Sequence, residues 1–445
     1  MIQMNLHQIA AIVGGSLVGK EARIQGVTTD SRIACRGKLF VALQGEQFDG
    51  HQFCQQAEQQ GAAAMLVSKP VEVNVPQVIC KDSLKALQAL ATTWVKQTGV
   101  KVIGITGSNG KTTVKNMLYS VLSQQFKCTA TQGNYNNEIG VPLTLLAISP
   151  QDEVAVIEMG AAQVGDIKLL AKMAQPDVAV VTNVSQAHIG RFGSEAQIAQ
   201  GKGELYESLD SDGLAVVNID SPYASQWMTV ITGPCVTFGE NEQADVRLLK
   251  QNHSYAIQLQ QQLPFTVQLP VLGHHNYLNA CAVVAIASNM GLSREDISKG
   301  LANFQPEAGR LNTLHISEQL KVIDDSYNAN PASVKAAIEV LQEQAKPTVL
   351  IVGDMAELGD EAISLHGNVG QYAQQQGVDK ILAVGQYAQA VCQGNESRCQ
   401  SFDAVEKLMT HLSKQPISKG TVLVKGSRSM RMERIVEMLV AGGKQ

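Results

Sequence analysis

The segment Gly104-Ile105-Thr106-Gly107-Ser108-Asn109-Gly110-Lys111-Thr112-Thr113 places a lysine and two hydroxyl residues directly after a glycine-rich stretch. Where such a stretch leaves a strand and opens a helix, its backbone N–H groups can wrap phosphate oxygens. Lys111 would then meet the β- and γ-phosphates of a nucleotide, and Thr112 would meet Mg²⁺. The general pattern asks for glycine five residues before Gly110, where this chain has Ile105, so a tighter loop is implied. A plain glycine-rich turn with an exposed lysine is the alternative.

Other residues offer chemistry at the ends of apolar runs. Glu158 closes the run from Val154 and precedes Met159-Gly160, which puts a carboxylate at the carboxyl edge of a sheet, where α/β proteins bind ligands. His188 follows the run that ends at Asn183. The two together suit a divalent cation, although Mg²⁺ prefers oxygen, and a hydrogen-bonded loop histidine is the other reading. Lys202, between Gly201 and Gly203, reads on its own as a solvated helix lysine. Asn276 and Asn279 stand at a helix start, where asparagine also caps. Arg310 follows Gly309 and Asp325 ends a strand, a pair that a structural salt bridge would also explain. Asn134, Tyr135, Asn136 and Asn137 form a loop dense in donors and acceptors, suited to a diphosphate-sugar. Ser31 and Arg32 lie among turn residues around a short strand.

These residues need elements to hold them. From Lys101 onward, short β-branched runs alternate with amphipathic helical stretches, the pattern of parallel βα units. Strands are expected at Val102 to Thr106, Val154 to Glu158, Val178 to Asn183 and Leu214 to Asn218, with helices at Thr112 to Gln125 and Ala196 to Leu209. A less regular, antiparallel extension is expected from Asp245 to Leu269, then a helix from Asn276 to Met290. Beyond Pro306 and Gly309 the alternation restarts at Leu320 to Asp324, Thr348 to Val352, Lys380 to Val384 and Thr421 to Val424, a second Rossmann-like unit with no phosphate loop of its own. Before Lys101 the pattern is short and mixed. The fold class is therefore α/β in three domains: 1–83 small and mixed, 84–311 central and doubly wound around the phosphate loop, 312–445 Rossmann-like.

Composition supports several cores and excludes some partners. A chain of 445 residues has a prior of roughly two to four domains. It is 44% hydrophobic and 17% charged, which argues against disorder. Its formal charge of -5, with no long basic run, argues against nucleic acid as a main partner. No run approaches the roughly 18 apolar residues of a membrane span, and the start has no basic leader, so a cytoplasmic protein is expected. The eight cysteines are scattered without metal-site spacing and are expected to be buried or inert thiols in a reducing compartment.

The short form Thr-Gly-x-Asn-Gly-Lys-Thr resembles the Mur ligase superfamily, ATP-dependent amide-forming enzymes. Three further segments extend the resemblance over nearly the whole chain: Gly133 to Pro142, Asp324 to Pro331, and Gly353-Asp354-Met355-Ala356-Glu357-Leu358-Gly359. The resemblance implies a ligase of peptidoglycan precursor synthesis that works as a monomer with ATP and Mg²⁺. Its substrates would be a UDP-N-acetylmuramoyl-tripeptide and D-alanyl-D-alanine. The phosphate loop Gly107, Ser108, Asn109, Gly110, Lys111, Thr112 and Thr113 would bind ATP, with Asn276 and Asn279 at the adenine and Arg310 and Asp325 at the α-phosphate and ribose. Thr112, Glu158, His188 and a carbamylated Lys202 would serve two Mg²⁺ ions. Ser31, Arg32 and the loop Asn134 to Asn137 would face the nucleotide-sugar. Asn328, Asn330 and the turn Lys425 to Arg428 would face the dipeptide, with His366 and Asp354 as weaker candidates. The rivals are a folylpolyglutamate synthase-like ligase and a non-enzymatic nucleotide-dependent switch. The Asn-Lys-x-Asp signature expected of a GTPase is missing from the sequence.

Overall fold

The computed structural model describes residues 1–46, 48–186, 189–251 and 254–442. Three sheets organise these residues, with a small antiparallel ribbon near the start. The first sheet has five strands in the order Ser16–Val18, Gln77–Ile79, Ala64–Val67, Leu39–Val41 and Val27–Thr28, antiparallel only at its first pair. The extended run from Arg23 to Thr28 is broken at Gly26, whose φ of 94° separates Arg23–Gln25 of the ribbon from Val27–Thr28 of the sheet.

The central sheet has nine strands. Lys101–Thr106 lies between Val154–Glu158 and Val178–Val181, so the chain turns to opposite sides of the same strand. That is a topological switch point, and the phosphate loop sits on it. Val102, Ile103 and Ile105 are fully buried because helices cover both faces of the sheet, which explains the unbroken apolar run. Beyond Cys235–Gly239 and Val246–Gln251 the sheet continues into Ser254–Leu259 and Phe265–Thr266 through antiparallel pairs, as expected for this extension. The helix His274–Asn289 is buried along Ala280 to Ala287, the reason it is apolar all round rather than striped.

The third sheet runs Asn312–His315, Leu320–Asp325, Gly420–Lys425, Thr348–Gly353, Lys380–Val384, Cys399–Phe402, and is parallel after its first pair. Its two faces carry separate apolar cores.

The first two sheets are joined differently from the last two. One apolar cluster runs from Ile2, Leu6 and Ile9 through Leu87 and Trp94 to Leu145 and Ile167, so the amino-terminal sheet shares a core with the central one. Between the central and third sheets the side-chain hydrogen bonds and ion pairs that cross are polar contacts at the cavity described below.

The cysteine expectation needs correction. Cys392 and Cys399 form a disulfide, their Cα atoms 5.1 Å apart, and Cys235 is exposed. The two half-cystines come from the end of one short helix and the start of the next strand, a proximity that no spacing motif announces.

Candidate active site

A cavity of about 1300 Å³ opens between the phosphate loop and the third sheet. Its floor is the loop itself. Gly107 has φ of 148° and Gly110 φ of 81°. A Cβ on Gly107 would overlap Thr182 Oγ1, and one on Gly110 would lie 2.7 Å from Asn279 Oδ1. Both positions therefore demand glycine on conformation and on space. Thr182 and Asn183, just past the strand Val178–Val181, hold the loop from the side. Asn183 Oδ1 accepts from Asn109 N at 3.0 Å and Asn183 Nδ2 donates to Asn109 O at 3.1 Å. Ser108 Oγ donates to Ser185 O at 3.1 Å.

Four expected residues meet at one point. Thr112 Oγ1 donates to Glu158 Oε2 at 2.9 Å, Asn136 Nδ2 donates to Glu158 Oε1 at 2.8 Å, and Arg310 Nη2 donates to Thr112 Oγ1 at 3.0 Å. Glu158 is 3% exposed, so its buried carboxylate depends on such partners, on the nearby Lys111 and Lys115 charges and on any cation that joins them. Adjacent hydroxyl and carboxylate oxygens are the donors Mg²⁺ takes, which makes the site fit that ion. His188 lies outside the described residues.

Lys111 folds back so that its Nζ donates to Gly107 O at 2.7 Å. Burial lowers its pKa; Glu158 opposes that and Arg310 adds to it. Lys202 is 2% exposed, not the solvated lysine that its sequence context suggests. Its seal comes from the flanking glycines: a Cβ on Gly201 would lie 2.9 Å from the Phe192 ring, and one on Gly203 2.8 Å from the Trp227 indole. Burial pushes the Lys202 pKa far below the ordinary lysine value, with the Lys111 charge a further cause.

Arg310 and Asp325 are not paired with each other. Asp325 Oδ2 accepts from Lys425 Nζ at 2.6 Å, and its Oδ1 accepts from Leu311 N at 3.2 Å. Arg310 lies 4.3 Å from the centre of the Tyr327 ring, and its Nε is buried with no acceptor among the described residues. Arg310 lines the cavity beside the loop that bears Lys111, and two cationic side chains next to glycine-rich backbone suit an anionic oxygen, so the site fits a nucleotide phosphate.

The remaining candidates divide. Asn276 and Asn279 are buried and line the cavity. The helix begins at His274, so Asn276 sits in its first turn and donates to Leu272 O at 2.6 Å instead of capping an N–H. Asn330 caps Pro331–Gln342 through Oδ1, and its Nδ2 reaches Asn109 Oδ1 at 2.7 Å. Asn328 lines the cavity, and its backbone carbonyl accepts from Lys425. Asn134, Asn136 and Asn137 line the opposite side, and Asn137 Oδ1 also accepts from Gly140 N at 2.9 Å. Tyr135 is exposed outside the lining. Ser31 donates to Gln56 Oε1 at 3.0 Å, and Arg32 binds Asp30 through two nitrogens, which holds the Asp30 carboxyl at about 2; neither lines the cavity. His366 and Asp354 stand behind the wall: His366 Nε2 accepts from Met355 N at 2.9 Å, and Asp354 accepts from the amides of Gln386 and Tyr387.

The sequence reading passed over Asn183, His275, Arg191 and Glu357, all of which line the cavity. Asn183 ends an expected strand beside His188, and His275 adjoins Asn276, so position alone would have found those two. Arg191 Nη2 and Glu357 Oε1 are 2.8 Å apart across the domain junction. Only the fold brings them together.

Three family models match the chain: the Mur ligase family catalytic domain over residues 23–104, the Mur ligase middle domain over 105–287, and the Mur ligase glutamate ligase domain over 309–428. The chain is 39% identical over 453 residues to the UDP-N-acetylmuramoyl-tripeptide–D-alanyl-D-alanine ligase of Escherichia coli (strain K12), covering 100% of both. Among solved structures it matches MurF from Acinetobacter baumannii with a TM-score of 0.90 and 34% identity over 98% of each chain. It also matches MurF ligase from Thermotoga maritima in complex with ADP, with a TM-score of 0.84, 29% identity, and coverage of 94% of this chain and 98% of that one.

Proposed function

The chain belongs to the Mur ligase family, and from that premise we propose that it joins D-alanyl-D-alanine to UDP-N-acetylmuramoyl-tripeptide in peptidoglycan precursor synthesis, with ATP converted to ADP and phosphate. A carboxylate is a poor electrophile, so an amide bond in water requires activation. Transfer of the ATP γ-phosphoryl group to the tripeptide carboxylate gives an acyl phosphate, which the dipeptide amine attacks with release of phosphate. The observation that carries this reading is the meeting of Thr112, Glu158 and Arg310 at the loop that also bears Lys111, inside a cavity large enough for more than a nucleotide.

On this reading the backbone of Gly107 to Thr113 cradles the phosphates, and Lys111 swings from Gly107 O onto the β- and γ-oxygens. Arg310 and Asp325 meet the α-phosphate and ribose, and Asn276 and Asn279 the adenine. Thr112 and Glu158 would hold Mg²⁺, and His188 and a carbamylated Lys202 would serve a second ion; Mg²⁺ bound there would neutralise phosphate charge. Ser31, Arg32 and the loop Asn134 to Asn137 bind the nucleotide-sugar, and Asn328 and Asn330 bound the dipeptide site. The domains are taken as 1–83, 84–311 and 312–445, in a monomer. Among the described residues no helix is long and apolar enough to cross a membrane, which agrees with work on cytoplasmic precursors.

The test is phosphate release. It should require ATP, the tripeptide nucleotide and D-alanyl-D-alanine together. Release that depends on a folate and glutamate would favour the folylpolyglutamate synthase-like rival, and release without any acceptor amine would favour a switch.

A further inference from the structure

Several acids line the cavity, and most already have work within it. Glu158 is tied to Thr112 and Asn136, and Asp325 to Lys425 and Leu311 N. Asp166 accepts from the amides of Ala162 and Gln163. Glu357 differs in position, for it lies on the third-domain wall and one of its partners, Arg191, belongs to the central domain.

Glu357 is held in place by its loop. Asp354 fixes the loop's start through Gln386 N and Tyr387 N, at 2.8 and 3.0 Å, and Ser427 N donates to Asp354 O at 2.9 Å. His366 takes the Met355 amide, and Met355 and Leu358 are buried at 1% and 3%. Between these anchors Glu357 adopts φ of 62°, a left-handed conformation that is unfavourable for a residue with a side chain. Its carbonyl accepts from Gly190 N at 3.1 Å. Such strain persists only where the surroundings impose it, and here they aim a carboxylate into the cavity.

A dipeptide α-amine has a pKa near 8 and reaches the enzyme mostly as an ammonium. We infer that Glu357 binds the α-ammonium of the incoming dipeptide, with Arg191 as one cation that it holds before the substrate arrives. The inference rests on the ligase reading above. Arg191 is a suitable placeholder because its side chain is 61% exposed, so little holds it once an ammonium competes. Glu357 is a binding residue in this account and takes no part in bond making. A second primary ammonium is available in principle, on the side chain of a diamino acid at the third position of the tripeptide. Glu357 comes from the third domain, which also brings Asn328 and Asn330 to the cavity, and that shared origin favours the dipeptide.

The experiment is steady-state kinetics of Glu357→Gln with each substrate varied in turn, beside melting curves for folding. Loss of a charge-assisted hydrogen bond should raise the dipeptide KM roughly ten- to a hundredfold and leave the KM values for ATP and nucleotide within about twofold. Glu357→Asp keeps the charge and should recover part of the loss. Arg191→Gln removes the same ion pair from the other side and should lower the dipeptide KM, because a competitor has gone. An unchanged dipeptide KM in Glu357→Gln overturns the inference, as does a rise confined to the nucleotide KM, which would assign the ammonium to the tripeptide. A raised dipeptide KM in Arg191→Gln overturns it too, because the ion pair would then matter only as a brace between domains. If the native chain releases phosphate without any dipeptide, the ligase reading itself fails, a result distinct from all three.

Discussion

Asn330 Nδ2 donates to Asn109 Oδ1 at 2.7 Å across the junction between the third domain and the phosphate loop, while Asn330 Oδ1 accepts from Ser333 N at 2.9 Å as a helix cap. One side chain therefore both starts a helix and touches the nucleotide loop. The two jobs can be separated by substitution. Asn330→Asp keeps a cap oxygen and loses the donor, so the melting temperature should hardly move while the KM for ATP rises roughly three- to tenfold. Asn330→Ala loses both and should also cost about 1 kcal/mol of stability. Unaltered nucleotide kinetics in Asn330→Asp would show the contact to be incidental.

Lys111→Ala tests the loop directly. The lysine is desolvated and held by a single backbone carbonyl, so its removal costs the fold little. Its charge matters when phosphate charge shifts, and loss of one such contact typically lowers turnover by at least about a hundredfold. Near-normal ATP-dependent product formation would end the assignment of this loop as the phosphate cradle.

The acid side of the stability profile should report His275. Packing around its ring, with Lys425 and His274 as further causes, holds its pKa at about 4, below the ordinary 6.5. The unfolded chain therefore binds this proton first as pH falls. The contribution is fully present above pH 6.5 and is lost as pH drops towards 4, at most on the order of 3 kcal/mol. Chemical denaturation at pH 7 and pH 4.5 should show His275→Gln losing less stability between the two than the native chain does. Equal losses would mean that the ring titrates in the fold as it does in the unfolded chain.

How much of this was legible beforehand follows from which forces are local. The phosphate loop and the strand Val154–Glu158 could be read because a fully buried parallel strand must be apolar throughout and a phosphate turn must be glycine-rich. Ala64–Val67 escaped because it follows a run of alanines with helical preference, which burial between Gln77–Ile79 and Leu39–Val41 overrides. Cys128–Ala130 escaped because three residues are too few to show a period, and Cys235–Gly239 because Thr237 interrupts its apolar residues and glycine ends it. In the site, Glu158 and Thr112 were recognisable from strand and helix ends. The pairing of Arg191 with Glu357 was not, because only domain packing makes those segments neighbours, and the pairing of Asp325 with Lys425 was not, because it depends on which strands of the third sheet lie side by side.

Lys202 offers the sharpest chemical test. In water a lysine has a pKa near 10.4, so only on the order of one molecule in 10³ carries a neutral amine at neutral pH. At 2% exposure, with its Nζ over the Phe192 ring and repelled by Lys111, this amine is shifted strongly towards the neutral form, the form that adds to CO₂ with loss of a proton to give a carbamate. The modification replaces a buried cation with an oxygen anion of the kind hard cations accept. Lys202→Ala should therefore be nearly inactive and partly recover with a small carboxylate such as acetate in the buffer, which can enter the space left by the side chain. Activity of the native chain should fall when dissolved CO₂ is stripped from the buffer and return with bicarbonate. A mass increase of one CO₂ on the Lys202 peptide, trapped by methylation at neutral pH, would identify the group. Full activity in Lys202→Ala, or an unmodified amine in bicarbonate at neutral pH with Mg²⁺ present, would defeat the assignment. An unmodified amine at low pH would not, because carbamates decompose in acid.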